Sequence, residues 1–159
     1  MYLNLLTKEE QHSFINLVSS LIMADRVVAS KELELFNSYL SEIGEVIPFN
    51  EKADFEAELK KMKTMSAFKK KKVYFELLSV AKGDSDYADE EKMMMEKVRI
   101  AFDITKEQAK TIEGLLDELT ALYTKLGEAL SYVETLIFIF HKILVFFGLA
   151  DDVPLYKDI

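Results

Sequence analysis

The sequence predicts an all-α fold of about seven helices, and three observations support this. Apolar residues recur near every 3.6 positions almost end to end, while no segment alternates in the way a half-buried strand requires. Ser, Thr, Asp and Asn stand just ahead of the apolar stretches, where helix N-caps belong. Only two Pro and five Gly occur in 159 residues, which leaves little material for the turns of a β fold. The length suits a single domain over 1–159 with a sizeable core.

The first helix starts at Thr7, with Glu10 completing a capping-box pattern, and lines one face with Phe14, Leu17, Val18, Leu21 and Ile22. A second helix opens at Ser30, turns Leu33, Phe36, Leu40 and Ile43 inward, and stops at Gly44, a C′ residue. Pro48 forbids simple continuation, and Asn50 is expected to cap a third helix carrying Phe55, Leu59 and Met62. Thr64-Met65-Ser66 reads as a tight turn before a fourth helix with Val73, Tyr74, Leu77, Leu78 and Ala81, ended by Gly83. Asp89 is expected to cap a fifth helix with Met94, Met95, Val98 and Phe102 inward. Thr105 and Gln108 open a sixth through Ile112, Leu115, Leu116, Leu119 and Leu126. A seventh runs from Glu128 to Phe147 and ends at Gly148.

The residues from Leu136 to Phe147 are apolar almost all round, which a surface helix cannot be. Glu134, His141 and Lys142 interrupt a run already shorter than the roughly 20 residues of a membrane span, so no transmembrane segment is expected. The first reading is a central core helix wrapped by the others. A homodimer interface is the second, and membrane association the third.

An internal repeat organises the chain. Asp25, Ala29 and Glu32 return 59 positions later as Asp84, Ala88 and Glu91, and Ser30 stands opposite Asp89. At the same offset Val18 meets Leu77, Leu21 meets Val80, Leu35 meets Met94, Phe36 meets Met95, Tyr39 meets Val98 and Ile43 meets Phe102. Leu17 against Glu76 and Leu40 against Arg99 break the match. The repeat units span 7–44 and 66–103, followed by C-terminal helices over 105–149, and read as a duplication or a convergent helical pair.

Each repeat ends its first helix in an acidic turn. A carboxylate at a helix C-terminus faces the negative end of the macrodipole and calls for a compensating positive group. Arg26 serves in the first copy, whereas no basic residue lies between Gly83 and Glu91, where Asp84, Asp86, Asp89, Glu90 and Glu91 crowd together. Two readings stay open: solvated helix-capping acids, or a site for a hard divalent cation such as Ca²⁺. The candidate metal ligands are Asp84, Glu91 and Asp86 in the second turn, and Asp25 and Glu32 in the first. The spacing is not that of an EF-hand, since Asp89 stands where the loop needs Gly and Met95 where it needs Glu.

The net charge of −8 argues against nucleic acid as a partner. Seven of the twenty basic residues are Lys60, Lys61, Lys63, Lys69, Lys70, Lys71 and Lys72, with no acid among them. This cluster reads as a solvated surface, as a docking patch for an acidic protein partner or anionic lipid through Lys69, Lys70, Lys71 and Lys72, or as an internal counterpart to the acidic turns. The absence of Cys removes disulfides, thiolate metal sites and a cysteine nucleophile. It fits a cytoplasmic location, and the first eight residues do not read as a signal peptide.

No phosphate-cradling glycine motif, nucleophile elbow or H-E-x-x-H occurs. His12 and His141 lie on different helices, and one Glu-x-x-His pattern, Glu9 to His12, cannot supply both halves of a di-iron bundle site. The sequence therefore predicts a binding protein rather than an enzyme.

The run Met23-Ala24-Asp25, a short turn and Ser30-Lys31-Glu32-Leu33 resembles the TerB-like family of tellurite-resistance and stress-response proteins. Its hallmark is similar to Ala-Asp-Gly, a short turn, and Glu opening the next helix; Ala81-Lys82-Gly83-Asp84 through Glu91 resembles the companion motif. The likeness covers residues 14–104, and Arg26 stands where the family would have Gly. It implies an internally repeated helical bundle without known catalytic activity, acidic sites suspected of holding divalent metal, and a place in assemblies that respond to chemical stress. The alternative function is a structural homo-oligomer with no metal site, assembled through the C-terminal helix.

Overall fold

Hydroxyls and carboxylates placed just ahead of apolar runs set where the helices begin. In the computed structural model, which describes residues 2–24, 28, 30–83 and 87–146 with side chains through Leu130, there are six α-helices and no strand among the described residues. They are α1 (Lys8–Ile22), α2 (Ser30–Ile43), α3 (Phe55–Met62), α4 (Ala67–Ala81), α5 (Asp89–Ala101) and α6 (Lys106–Phe146), preceded by a 3-10 turn at Leu3–Leu5.

The expected capping boxes form. Thr7 Oγ1 accepts the Glu10 N–H at 3.2 Å while Glu10 Oε2 accepts the Thr7 N–H at 2.7 Å. Thr105 and Gln108 make the same reciprocal pair at the start of α6, at 3.1 and 3.2 Å. Ser66 caps α4 through the Lys69 N–H at 3.4 Å. Gly44 closes α2 with φ 68°, the left-handed conformation open to a residue without Cβ.

Three expected boundaries move. Asn50 does not cap α3; its side-chain oxygen accepts the Lys52 N–H at 3.1 Å and shapes a local turn, and Asp54 caps the helix instead, at 3.1 Å from the Ala57 N–H. Asp89 is the first residue of α5 rather than its cap, because Glu91 reaches back to the Ala88 N–H at 2.9 Å and fixes Ala88 as the boundary. The sixth and seventh helices are one, α6, 41 residues long. Gly127 lies between the two expected helices, but a helical Gly costs only about 1 kcal/mol relative to Ala, too little to interrupt good helix formers on both sides.

The helix bounds repeat with the 59-residue offset of the sequence. Lys8–Ile22 lies over Ala67–Ala81, Thr7 over Ser66 as N-cap, and the start of α2 at Ser30 over the start of α5 at Asp89. Buried positions follow the same register: Phe14 with Val73, Val18 with Leu77, Leu21 with Val80, Phe36 with Met95, Tyr39 with Val98 and Ile43 with Phe102. Leu17 and Glu76, the mismatched pair, are both buried as well.

The chain divides into two compact units, Met1–Leu116 and Asp117–Ile159. In the first, α1 is the hub: it packs on α2, α3 and α4, and α4 packs on α5. Phe14, Ile15, Leu17, Val18, Leu21 and Ile22 on α1 are buried completely or nearly so. The described core runs from Leu3 to Leu116; the side chains of the C-terminal stretch expected at the centre of the fold, 136–147, lie outside those described. Of the residues expected to face inward, Leu33, Leu115, Leu119 and Leu126 are exposed. The 3.6-residue stripe on α6 continues past Leu116, the last residue of that core. No described helix is long and apolar enough to cross a membrane.

Candidate functional site

Of the acidic junctions, Asp25, Asp84 and Asp86 lie outside the described residues. Glu32 and Glu91, 59 positions apart, each occupy the third position of a helix and are 4% and 5% exposed. Both carboxyls therefore sit in the first turn, where the helix dipole favours negative charge. Glu91 makes its one-sided cap to Ala88, which has no side-chain oxygen to return it. Among the described residues, no three His, Asp or Glu side chains gather in a way that could hold a metal ion.

The second junction has cations just outside 83–91 on either side. Lys82 Nζ is 3.1 Å from Glu113 Oε1 and Lys92 Nζ is 2.9 Å from Asp89 Oδ1. The two ammonium groups also approach the Tyr87 ring, at 6.0 and 5.6 Å from its centroid. Burial, and then the neighbouring Tyr74, Glu113 and Glu91, push the Tyr87 hydroxyl well above its usual range, so it stays a neutral donor.

The four lysines expected to dock a partner have different surroundings on α4. Lys69 Nζ binds Glu10 Oε2 at 2.6 Å, linking the first turns of α4 and α1. Burial resists ionisation of Glu10, but hydrogen bonds from Lys69 and Thr7 outweigh it and hold the carboxyl below its ordinary value. Lys70 Nζ lies 3.6 Å from Asp103 Oδ2. Lys72 Nζ sits 3.3 Å above the Tyr2 ring and 4.6 Å from the Phe68 ring. Lys71 is exposed. Two of the four thus hold the fold together, and two remain at the surface.

Those two rim an apolar groove of about 340 Å³, lined by Tyr2, Phe68, Phe75, Ile112 and Leu115 together with Lys71 and Lys72. Phe68 is 64% exposed and Leu115 58%. Phe68, Lys71, Lys72 and Phe75 recur at i, i+3, i+4 and i+7, so one face of α4 presents them all. The sequence reading singled out the lysines and passed over the aromatics between which they lie; the spacing was the signal that could have found them.

No family model, no curated protein and no solved structure matches this chain. The likeness to TerB-like proteins therefore rests on the residues quoted above.

Two larger clefts are lined mainly by charged and polar side chains, several of them in ion pairs. One, about 540 Å³, is lined by Lys8, His12, Glu58 and Lys61 among others. There His12 Nε2 and Lys8 Nζ lie 2.9 and 3.0 Å from the Glu45 carboxylate, and Lys61 bonds Glu58 at 2.8 Å. The other, about 490 Å³, holds Arg99, whose guanidinium bonds both oxygens of Glu96 at 2.7 Å and the Ile104 carbonyl at 2.7 Å.

A polar knot joins α1, α2 and α4 to the N-terminal turn. The Tyr39 hydroxyl donates to the Glu76 carbonyl at 3.1 Å and lies 3.3 Å from Glu76 Oε2. Leu3 donates its N–H to Glu42 Oε1 at 2.9 Å, and Gln11 Nε2 donates to the Leu3 carbonyl at 2.9 Å. The carboxylates of Glu42 and Glu76 thus fasten the N-terminal turn that carries Tyr2 to the groove. Burial, reinforced by Glu42, raises the Glu76 carboxyl above its ordinary value.

Proposed function

We propose that residues 2–116 form a non-catalytic binding module that docks an acidic, amphipathic protein segment. The observation that carries this reading is the α4 groove: three aromatic rings and two aliphatic side chains between two lysines, on a protein whose net charge is otherwise negative. An amphipathic helix laying Leu or Phe into such a groove, with Asp or Glu against Lys71 and Lys72, is a recurring recognition mode. The aromatics supply anchor area, and the ammonium groups select the sign of the partner's charge. The resemblance to TerB-like proteins supports an adaptor role in a cytoplasmic stress-response assembly.

A titration of the full chain with a labelled peptide helix bearing Leu at i, i+4 and i+7 and Glu on the flanks tests this. Saturable binding, lost in Phe68→Ala and weakened by added salt and by Lys71→Glu/Lys72→Glu, is expected. Binding that ignores all three substitutions, or no binding at millimolar peptide, would sink the proposal.

A further inference from the structure

Leu115, Leu119, Leu122 and Leu126 follow one another on α6 at intervals of four, three and four residues, and all four are exposed. Leu122 is 62% exposed and Leu126 49%, and Tyr123 and Leu130 lie exposed beside them. In the sequence the same three-four spacing begins at Ile112 and continues through Ala129, Val133, Leu136, Phe140 and Ile143, all within α6.

A strict seven-residue repeat is not what a helix packing on a globular core needs. A straight α-helix drifts by roughly 20° per heptad against such a repeat, so over four heptads the stripe would wander off any single face. It stays on one face only where a second helix of the same period winds around it. A copy of this chain carries that period in register by construction.

We propose that α6 pairs with α6 of a second copy, antiparallel, through the stripe that includes Leu119, Leu122 and Leu126. The charge on its flank sets the direction. Glu118 and Lys125 lie one heptad apart on the same side of the stripe. In an antiparallel two-fold pair, Glu118 of each copy faces Lys125 of the other, giving two reciprocal ion pairs. A parallel pair would place the same charges against the apolar Tyr123 and Leu130. Five leucine- or tyrosine-sized side chains from 119 to 130, at roughly 100 Å² each, would bury about 1,000 Å² in total over the two copies, the size at which a specific interface begins.

The test uses the full chain in detergent-free buffer, with mass and dissociation constant measured by analytical ultracentrifugation. The wild type is expected to sediment as a dimer, and Leu122→Glu/Leu126→Glu as a monomer with the thermal transition of residues 2–116 intact, since neither leucine belongs to that core. Glu118→Lys and Lys125→Glu singly are each expected to raise the dissociation constant about tenfold. Combined, they restore the wild-type value, because the swap rebuilds the pairs. A wild-type monomer, a dimer indifferent to the leucine substitutions, or charge variants whose effects simply add overturns the proposal. None of these outcomes depends on the α4 groove, so the adaptor reading stands or falls separately.

Discussion

Gly44 and Asp103 stand 59 positions apart and take the same left-handed backbone, with φ 68° and 56°, each just past the end of a helix. The two repeat units thus close their second helices with the same turn, once with the residue that has no Cβ and once with an acid. A left-handed non-Gly residue costs about 1 kcal/mol, though Asp is among the more tolerant. Asp103→Gly is expected to raise stability by about 0.5–1 kcal/mol in urea titration, less the small contribution of its solvent-exposed pair with Lys70, and Gly44→Ala to lower it by about 1 kcal/mol. Nothing stands within 4 Å of a Cβ at Gly44, so the second effect would report backbone conformation alone. An unchanged midpoint in both would contradict the shared geometry.

Glu10 and Lys69 are also 59 positions apart and meet at 2.6 Å. Because the Glu10 carboxyl is held below its ordinary value of 4.5, its contribution is present above that value and is lost as pH falls through the depressed one. Lys69→Met is expected to destabilise the protein at neutral pH. The gap between wild type and variant should close as the solution is acidified below pH 4.5. Thermal melts at several acid pH values check this, and a gap that persists at the lowest pH would refute it.

Glu76 has the opposite sign. Its carboxyl is raised, so the stability it permits is full below 4.5 and declines as pH rises through the raised value. Glu76→Gln should remove that decline while keeping an acceptor for Tyr39. The first repeat places Leu17 at the matching buried position, and Glu76 Oε1 has no hydrogen-bond partner among the described residues. Glu76→Leu removes the unpartnered buried oxygen but also the acceptor of the Tyr2 N–H, so it is expected to change stability at neutral pH by less than about 1 kcal/mol. Tyr39 would keep its bond to the residue-76 carbonyl. A loss above about 2 kcal/mol would mean the carboxylate is structurally required.

Glu91 separates the two readings of the acidic junctions. As a cap, Glu91→Ala costs about 1 kcal/mol with or without added salts of divalent metals. As a metal ligand, it makes calcium, magnesium or zinc raise the melting temperature of the wild type, and Asp84→Asn/Glu91→Gln abolishes both that rise and the heat seen by calorimetry. Absence of heat with all three ions leaves capping as the role of the junction.

What the sequence disclosed was whatever depends on neighbours three or four residues away. Thr7 with Glu10, Thr105 with Gln108 and Gly44 at a helix end were legible because capping is local chemistry. The boundary at Ala88 was not, since Ala has no capping oxygen and the deciding group, Glu91, acts from inside the helix. The break expected between Leu126 and Glu128 does not form, because the roughly 1 kcal/mol propensity cost of Gly127 decides a boundary only when nothing else favours continuation. The pairings of the lysine run were illegible for a different reason. Lys69 and Lys70 find their acids 59 and 33 positions away, at distances no helix pattern encodes. The aromatic half of the α4 groove was within reach of the i, i+7 spacing of Phe68 and Phe75, but its other wall, Tyr2 with Ile112 and Leu115, comes from opposite ends of the unit.

The burial of Glu32 and Glu91 changes how genetic data on this protein would be read. An acidic residue beside a turn invites the inference that its loss abolishes ligand binding. Here a substitution at either one first removes a charged group from the interior of a helix start. Its earliest phenotype would be reduced cellular abundance through proteolysis of a less stable chain. A null allele at position 32 or 91 would thus say little about activity until protein levels had been measured, whereas one at Phe68 or Lys71 could be taken at face value.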